Sequence, residues 1–269
     1  MLPEGTFEGK VAIVTGGGSG LGRAMALELA RLGSAVVVSG RREEPLAETA
    51  SLIEERGGHA HPRPTDVREP DAVDALVAAA VERFGRVDVL VNNAAGNFVA
   101  KAEELSPNGW RAVVGIVLDG TFLCSRAAGR RMIEQGEGGA ILSVIASYAW
   151  TGGPGTIHSA AAKAGVLALT RTLAVEWAEH GIRANCICPG PTDTEGAGQA
   201  LWPTEEDRAR VAATVPLGRL ATPEEVAVWA AALCSPYAAY ITGETLTIDG
   251  GHWLEQESYL PALGKQPRG

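Results

Sequence analysis

Short apolar runs alternate with longer segments of helical periodicity along most of this chain of 269 residues. The runs are apolar throughout, without in–out alternation, which is typical of strands buried on both faces of a sheet. The predicted strands are residues 11–15, 35–39, 87–92, 140–145, 182–188 and 246–249. The predicted helices are residues 21–32, 44–56, 72–84, 110–134, 159–180 and 224–233. This βαβ rhythm predicts an α/β fold built on a doubly wound parallel sheet.

The chain is predicted to form a single domain, because no internal repeat and no linker rich in proline or serine divides it. The rhythm weakens only at residues 195–214, where glycine, proline and charged residues are scattered among apolar ones. Irregular segments of this length inside a regular fold are often binding loops. We therefore expect residues 195–214 to form a lid over a substrate site.

Composition excludes several classes of function. Lys and Arg total 23 against 32 Asp and Glu, a formal net charge of −9. Without a basic stripe, this charge argues against a nucleic-acid partner. The N-terminus lacks the apolar region of a signal peptide, and no uninterrupted apolar run approaches the ~20 residues of a membrane span. We expect a soluble, cytoplasmic protein without a membrane partner.

Cysteine spacing argues against both disulfides and metal binding. The four cysteines are Cys124, Cys186, Cys188 and Cys234, and no two of them form a CxxC motif. A framework of disulfides or a zinc site needs a denser or more regular spacing. The four are predicted to be buried free thiols in a reducing compartment, and no metal site is expected.

A glycine-rich loop joins the first predicted strand to the first predicted helix, reading Thr-Gly-Gly-Gly-Ser-Gly-Leu-Gly over residues 15–22. Glycines permit a tight turn and let backbone N–H groups approach a pyrophosphate at a helix N-terminus. A strand before the loop and a helix after it are the context that favours a Rossmann-type dinucleotide site over a plain turn. The predicted contacts are Gly16, Gly18, Ser19, Gly20, Leu21 and Gly22.

The end of the second predicted strand indicates which dinucleotide binds. A site selective for NAD places an acidic residue here to hold the ribose 2′-hydroxyl. This chain has Arg41 and Arg42 instead. Because a guanidinium can bind a 2′-phosphate through two hydrogen bonds, the pair favours NADP(H). The alternative is a solvated basic turn.

Taken together, four motifs resemble those of the short-chain dehydrogenase/reductase family. They are the glycine loop at 15–22, Asp-Val at 66–67, Asn-Asn-Ala-Ala-Gly at 92–96 and Pro-Gly-Pro-Thr at 189–192. Their order and spacing extend over almost the whole chain. The resemblance implies that residues 66–67 flank the adenine, that Asn92 lies by the ribose, and that 189–192 hold the nicotinamide. The implied cofactor contacts are Asp66, Val67, Asn92, Ala94, Gly96, Lys163, Pro189, Gly190 and Thr192.

The catalytic pattern departs from the usual form of that family, which combines Ser, Tyr-x-x-x-Lys and an upstream Asn. The lysine is present as Lys163, but Ser159 occupies the usual tyrosine position. The usual serine and asparagine positions hold Ala146 and Val117. An ordinary ketone reductase would need a phenol where Ser159 stands.

A subgroup, the mitochondrial-type 2,4-dienoyl-CoA reductases, is similar to this chain where it departs from the family. The shared stretches are residues 92–98, 104–108, 116–118, 148–152 and 159–165. The resemblance implies a catalytic Tyr148 in the loop after the fifth strand, with Ser159 and Lys163 beside it, and it matches the substrate-orienting asparagine of the subgroup to Asp119. It also implies an acyl-CoA substrate and a homotetramer formed through the helices around 110–134 and 159–180.

The chemistry implied is NADPH-dependent reduction of a 2,4-dienoyl-CoA thioester to a 3-enoyl product. Hydride added to the far end of the diene places negative charge on the thioester oxygen, which needs hydrogen-bond donors. Tyr148, with a free pKa of about 10, is protonated at neutral pH. We expect a nearby Lys163 to make that phenol more acidic. Ser159 and Lys163, four residues apart on one helix, share a face.

Plainer alternatives exist for each site residue and for the function. Tyr148 could be an ordinary half-buried tyrosine, Ser159 a favoured residue at a helix start, and Asp119 an acid facing solvent. His158 lacks a triad partner and is interpreted as structural or pocket-lining. The alternatives for function are another reductase or alcohol dehydrogenase of the same family, or a non-catalytic protein that binds NADP.

Overall fold

The computed structural model describes residues 2–194, 202 and 204–254. Seven parallel strands form one sheet in the order β3-β2-β1-β4-β5-β6-β7. The strands are β1 (Val11–Thr15), β2 (Ala35–Gly40), β3 (His59–Pro64), β4 (Val89–Asn92), β5 (Gly139–Val144), β6 (Ile182–Pro189) and β7 (Thr245–Ile248). The prediction of a single Rossmann-type α/β domain is confirmed.

Helices cover both faces of the sheet. They are α1 (Gly20–Arg31), α2 (Glu43–Glu54), α3 (Pro70–Phe84), α4 (Pro107–Val114), α5 (Gly120–Gln135), α6 (Tyr148–Thr151), α7 (Ile157–Glu176), α8 (Glu205–Thr214) and α9 (Pro223–Cys234). Short 3₁₀ turns occur at Ala102–Glu104, Ala178–His180, Pro236–Ala238 and His252–Leu254. A π turn, Gly115–Asp119, joins α4 to α5.

The central strand shows why the runs in the sequence are apolar throughout. Ala12 and Val14 of β1 pack into the layer that contains α1 and α9, whereas Ile13 packs into the opposite layer with α3 and α5. Successive side chains of a strand point to opposite faces, so a strand with a helical layer on each side needs apolar residues at every position. β1 is hydrogen-bonded to both β2 and β4, and the strand order therefore reverses between β1 and β4. A crevice at the carboxyl ends of these strands is the expected ligand site.

Two of the longer predicted helices have different bounds in the structure. The helix predicted at 110–134 starts at Pro107, because the Ser106 side chain caps its first turn by accepting the Gly109 N–H at 3.0 Å. The helix predicted at 159–180 starts at Ile157 and ends at Glu176.

The segment predicted as a lid contains helix α8, which sequence reasoning did not predict. Thr204 and Asp207 form a reciprocal capping box at its start. These two residues belong to the scattered polar residues that weaken the apolar pattern at 195–214, and they are also the signal for the start of a helix. Residues 195–201 and 203 of the predicted lid lie outside the described residues.

The segment Pro107–Gln135 is long and apolar enough to cross a membrane by length and composition. Half of its most apolar window is buried inside the protein. The sequence prediction rested on uninterrupted apolar runs and did not single out this segment.

All four cysteines are free and buried, as predicted.

Candidate active site

A cavity of about 710 Å³ opens at the carboxyl end of the sheet, where the strand order reverses. It joins the glycine loop, the ends of β2 and β4, and the starts of α6 and α7. The sequence-predicted residues on its wall are Gly16, Gly18, Ser19, Gly20, Leu21, Gly22, Arg41, Arg42, Asp66, Val67, Ala94, Gly96, Tyr148, Ser159 and Lys163. Segments that are distant in sequence thus meet at one site.

The glycine loop forms a close-fitting turn at the start of α1. Gly16 has a φ of +65°, and a Cβ on Gly22 would lie 2.1 Å from the Gly16 carbonyl oxygen. Arg23 holds the loop from below, since its Nη2 donates to the Gly18 carbonyl at 2.8 Å. A loop of this shape at a helix N-terminus presents backbone N–H groups to a pyrophosphate. The cradle therefore fits the phosphates of a dinucleotide.

The end of the cavity near β2 carries positive charge. Arg41 and Arg42 are both exposed and lie on the wall where β2 ends. Asp66, on the same wall, is ion-paired with Arg68, and the hydrogen bond from Arg68 lowers the pKa of that carboxyl. Arg41 and Arg42 therefore present exposed cations that a phosphate could meet at this end of the cavity.

At the other end of the cavity, Tyr148 and Ser159 form a hydrogen-bonded pair. The Tyr148 hydroxyl lies 3.1 Å from Ser159 Oγ. Tyr148 is the first residue of the one-turn helix α6, and Ser159 belongs to the first turn of α7. Lys163, one turn further along α7, is buried and donates through Nζ to the Val144 carbonyl. The predicted shared face of Ser159 and Lys163 is confirmed, since both line the cavity.

Burial controls the protonation of both groups. It lowers the pKa of Lys163 from 10.5 to about 8. Burial also raises the pKa of Tyr148, although the hydrogen bond to Ser159 opposes that effect. Lys163 is not among the groups that shift the pKa of Tyr148, and the net shift is upward, opposite to the more acidic phenol that was expected. At neutral pH the phenol keeps its proton and can donate it.

Two predicted residues do not reach the cavity. Asp119, matched by the resemblance to a substrate-orienting asparagine, is exposed at the end of the π turn and is not among the residues of the cavity wall. Asn92 is buried below the site and donates to Ser125 Oγ at 2.9 Å, which ties β4 to α5. Asn92 thus has a structural position, and its neighbour Asn93 lines the cavity instead.

The predicted nicotinamide contacts after β6 are also displaced from the wall. Pro189 and Gly190 lie where β6 ends, and a Cβ on Gly190 would sit 2.5 Å from Asp249 Cβ. Thr192 is buried and forms a bridge with Ala221. From this segment, it is Thr194 that reaches the cavity wall.

Asn97 is a cavity residue that sequence reasoning missed. Its Oδ1 accepts the Phe98 N–H at 3.0 Å, which leaves the N–H donors of Nδ2 available to other partners. The residue stands in the stretch 92–98 that carried the resemblance. Its donor chemistry was the signal that could have identified it.

The sheet order, the glycine cradle and the Tyr148–Ser159–Lys163 cluster together define a dinucleotide-dependent oxidoreductase. The family model described as Enoyl-(Acyl carrier protein) reductase matches residues 16–252. The chain belongs to this family of short-chain dehydrogenases/reductases, which implies a nicotinamide dinucleotide cofactor.

Several named proteins are similar in sequence to this chain over most of its length. A Bacillus subtilis protein, named a probable 2,4-dienoyl-CoA reductase [(2E)-enoyl-CoA-producing], is 53% identical over 92% of this chain and 98% of its own. A Caenorhabditis elegans protein, named a probable 2,4-dienoyl-CoA reductase 3 [(3E)-enoyl-CoA-producing], is 39% identical over 93% of this chain and 82% of its own. The crystal structure of a short chain dehydrogenase from Bacillus anthracis, 49% identical, has a TM-score of 0.85 and covers 93% of this chain and 99% of that one.

Proposed function

We propose that this protein reduces 2,4-dienoyl-CoA thioesters to 3-enoyl-CoA with NADPH. The observation that carries the proposal is the Tyr148–Ser159 pair, 3.1 Å apart on the wall of the dinucleotide cavity. A phenol that approaches the site from α6, with serine at the usual tyrosine position, separates this chain from ordinary ketone reductases. The names of the relatives from Bacillus subtilis and Caenorhabditis elegans support the same substrate class.

The residues of the cavity fit a bound dinucleotide, which would supply hydride from the nicotinamide. Backbone N–H groups of the glycine loop would bind the pyrophosphate, and Lys163 would reach the ribose hydroxyls. Tyr148, which stays protonated because burial raises its pKa, donates a hydrogen bond to the thioester oxygen as charge develops there. Ser159 holds the Tyr148 hydroxyl, and Asn97 offers a second donor from Nδ2.

The product depends on where the proton is added. Hydride at C5 of the dienoyl chain leaves a dienolate that extends from the thioester oxygen to C4. A proton at C2 then gives the 3-enoyl product, whereas a proton at C4 gives the 2-enoyl product. The names of the relatives divide between the two, with (2E) for the Bacillus subtilis protein and (3E) for the Caenorhabditis elegans one. We expect Tyr148 to supply the proton to C2 and to regain one from solvent, and proton NMR of the isolated product distinguishes the two products.

The preference for NADPH rests on Arg41 and Arg42. Each can form charge-assisted hydrogen bonds to a 2′-phosphate. Replacement of both by alanine should weaken NADPH binding by about 10- to 100-fold, at about 1.5–3 kcal/mol for such bonds, and leave NADH binding nearly unchanged. Fluorescence titration of both cofactors measures this difference. Equal turnover with NADH and NADPH in the unmodified protein would contradict the assignment.

The substrate class is tested by the rate of NADPH oxidation, followed by absorbance. We expect turnover of 2,4-hexadienoyl-CoA and little with a panel of simple ketones. Turnover of ketones without turnover of the dienoyl thioester would favour a carbonyl reductase. Tight NADPH binding with no turnover of either would favour a non-catalytic protein.

Three further features belong to the same proposal. Residues 195–214 would act as a lid, with Arg208 of α8 ion-paired to Asp193 beside the cavity at 3.1 Å.

A homotetramer would cover apolar side chains exposed on α5 and α7, among them Phe122 and Val175, and light scattering would measure its mass. The free thiols suit a cytoplasmic location.

A further inference from the structure

His158 stands immediately before Ser159 in the first turn of α7 and is completely buried. Its Nδ1 accepts the Ser159 backbone N–H at 2.9 Å. The first N–H groups of a helix have no partner within the helix, so the imidazole supplies one that the fold lacks. Because Nδ1 accepts, the neutral ring carries its proton on Nε2.

The other side of the His158 ring contacts the loop that carries Asn97. The edge of one ring meets the face of the other between Phe98 and His158, with centroids 4.5 Å apart and planes at 89°. The Phe98 N–H in turn holds Asn97 Oδ1 at 3.0 Å. A second tie joins the same segments, since the Ala100 N–H donates to the Gly155 carbonyl at 2.9 Å.

One ring therefore connects both groups of donors in the site. On one side it holds the backbone of Ser159, whose hydroxyl lies 3.1 Å from the Tyr148 hydroxyl. On the other side it packs against Phe98, whose backbone fixes the Asn97 amide. We propose that His158 is a positioning residue that sets the separation between Asn97 and the Tyr148–Ser159 pair. The proposal rests on the function proposed above.

Histidine at this position has one cost and two contributions. His158 Nε2 has no hydrogen-bond partner among the described residues, although its atom is buried. An unsatisfied buried donor costs free energy, and an apolar side chain would avoid that cost but leave the Ser159 N–H without this acceptor. What histidine adds is an acceptor and an aromatic edge in one rigid ring.

Two substitutions separate these contributions. His158→Phe keeps an aromatic ring against Phe98 but removes the acceptor for the Ser159 N–H. His158→Asn keeps an acceptor near the position of Nδ1 but removes the ring. We expect His158→Phe to lower kcat by about 10- to 100-fold, because small displacements of catalytic groups are costly. His158→Asn should restore part of that loss, and NADPH affinity should change little in either variant.

The matched control is His61→Asn, which changes a histidine of β3 that does not line the cavity and should leave kcat unchanged. A readout that needs no turnover is 19F NMR of protein labelled with 3-fluorotyrosine, in which one of four tyrosine resonances is assigned by its loss in Tyr148→Phe. We expect the Tyr148 resonance to shift in His158→Phe and to stay in place in His61→Asn.

The outcomes distinguish the two proposals. Absence of dienoyl-CoA turnover in the unmodified protein overturns the proposed function, while the fluorine resonance still reports on the positioning role. An unshifted Tyr148 resonance and an unchanged kcat in His158→Phe overturn the positioning role. If His158→Phe fails to fold, His158→Asn decides: a lower kcat with unchanged NADPH affinity supports the role, and an unchanged kcat contradicts it.

Discussion

Polar groups have different roles at the two ends of the parallel strands, here called the amino-terminal edge and the carboxyl-terminal edge of the sheet. At the amino-terminal edge, the Asp88 carboxylate accepts hydrogen bonds from Arg86 at 2.6 and 2.7 Å, from the Val11 N–H at 2.9 Å and from Lys10 at 3.2 Å. Arg86 also pairs with Glu137 at 2.6 Å. The charges at this edge satisfy one another and tie β1 to β4.

At the carboxyl-terminal edge, polar groups line a cavity. Tyr148 and Ser159 bond to each other, while Asn97 keeps the donors of Nδ2 for other partners. Arg41 and Arg42 are exposed on the same wall. The comparison shows that the polar groups that stabilise the fold and those that line the cavity lie at opposite ends of the same strands. Substitutions at the two edges should therefore separate in their effects.

The largest expected effect is on turnover, at the carboxyl-terminal edge. Tyr148→Phe removes the donor to the thioester oxygen and should lower kcat by about 100- to 1,000-fold, within the range for general acid catalysis. NADPH affinity and the melting temperature should change little. Stopped-flow or steady-state assays measure the rate, and Tyr237→Phe, at a side chain 71% exposed, is the matched control. An unchanged kcat would remove Tyr148 from the mechanism.

The next effect is on stability, at the amino-terminal edge. Asp88→Asn should lower the free energy of unfolding at pH 7 by about 2 kcal/mol, the scale of lost hydrogen bonds to a charged group. Activity per folded molecule should stay the same. Urea unfolding followed by circular dichroism measures the change. A loss of turnover without a loss of stability would contradict the division between the two edges.

The same carboxylate predicts a pH dependence. Burial alone would raise the pKa of Asp88, but the hydrogen bonds from Arg86, Val11 and Lys10 outweigh it and lower the pKa. A carboxyl with a lowered pKa in the folded state contributes stability above its unfolded value of about 4. That contribution is lost as pH falls through the folded pKa. The stability difference between Asp88→Asn and the unmodified protein should therefore shrink below about pH 4.

The smallest effects compare Asn97 with Asp119. Asn97→Ala removes a donor on the cavity wall and should lower kcat/KM by about 10-fold, the equivalent of one hydrogen bond. Asp119→Ala changes an exposed residue away from the wall and should alter kcat/KM less than twofold, in the range of surface substitutions. Steady-state kinetics with the dienoyl thioester measures both. The reverse order would restore Asp119 to the site.

The comparison also shows what the sequence could predict. The parallel sheet and the glycine loop follow from local patterns, because apolar runs and a strand–glycine–helix junction are physical requirements of the fold. The cluster of Tyr148, Ser159 and Lys163 follows from helical spacing and the resemblance. These positions are set by the backbone and depend little on the orientation of the individual side chains.

The rest required tertiary structure. The Gly120 N–H bonds to the Gly115 carbonyl, five residues back, in the π turn that ends at Asp119. A π turn takes an extra residue per turn and changes the face on which later side chains lie, so linear spacing alone does not show where Asp119 points. Asn92 and Asn93 are adjacent at the end of β4. Only the tertiary contact of Asn92 with Ser125 shows that the Asn92 side chain points into the protein core, whereas Asn93 lines the cavity.

The most direct measurement follows the transferred hydrogen itself. The unmodified protein would reduce 2,4-hexadienoyl-CoA with NADPH that carries deuterium at the transferable C4 position, and NMR would locate the label in the product. Reduction of a conjugated dienoyl thioester at its far end predicts one deuterium at C5. Deuterium at C3, as in reduction of a simple enoyl thioester, or no consumption of the dienoyl substrate would contradict the account.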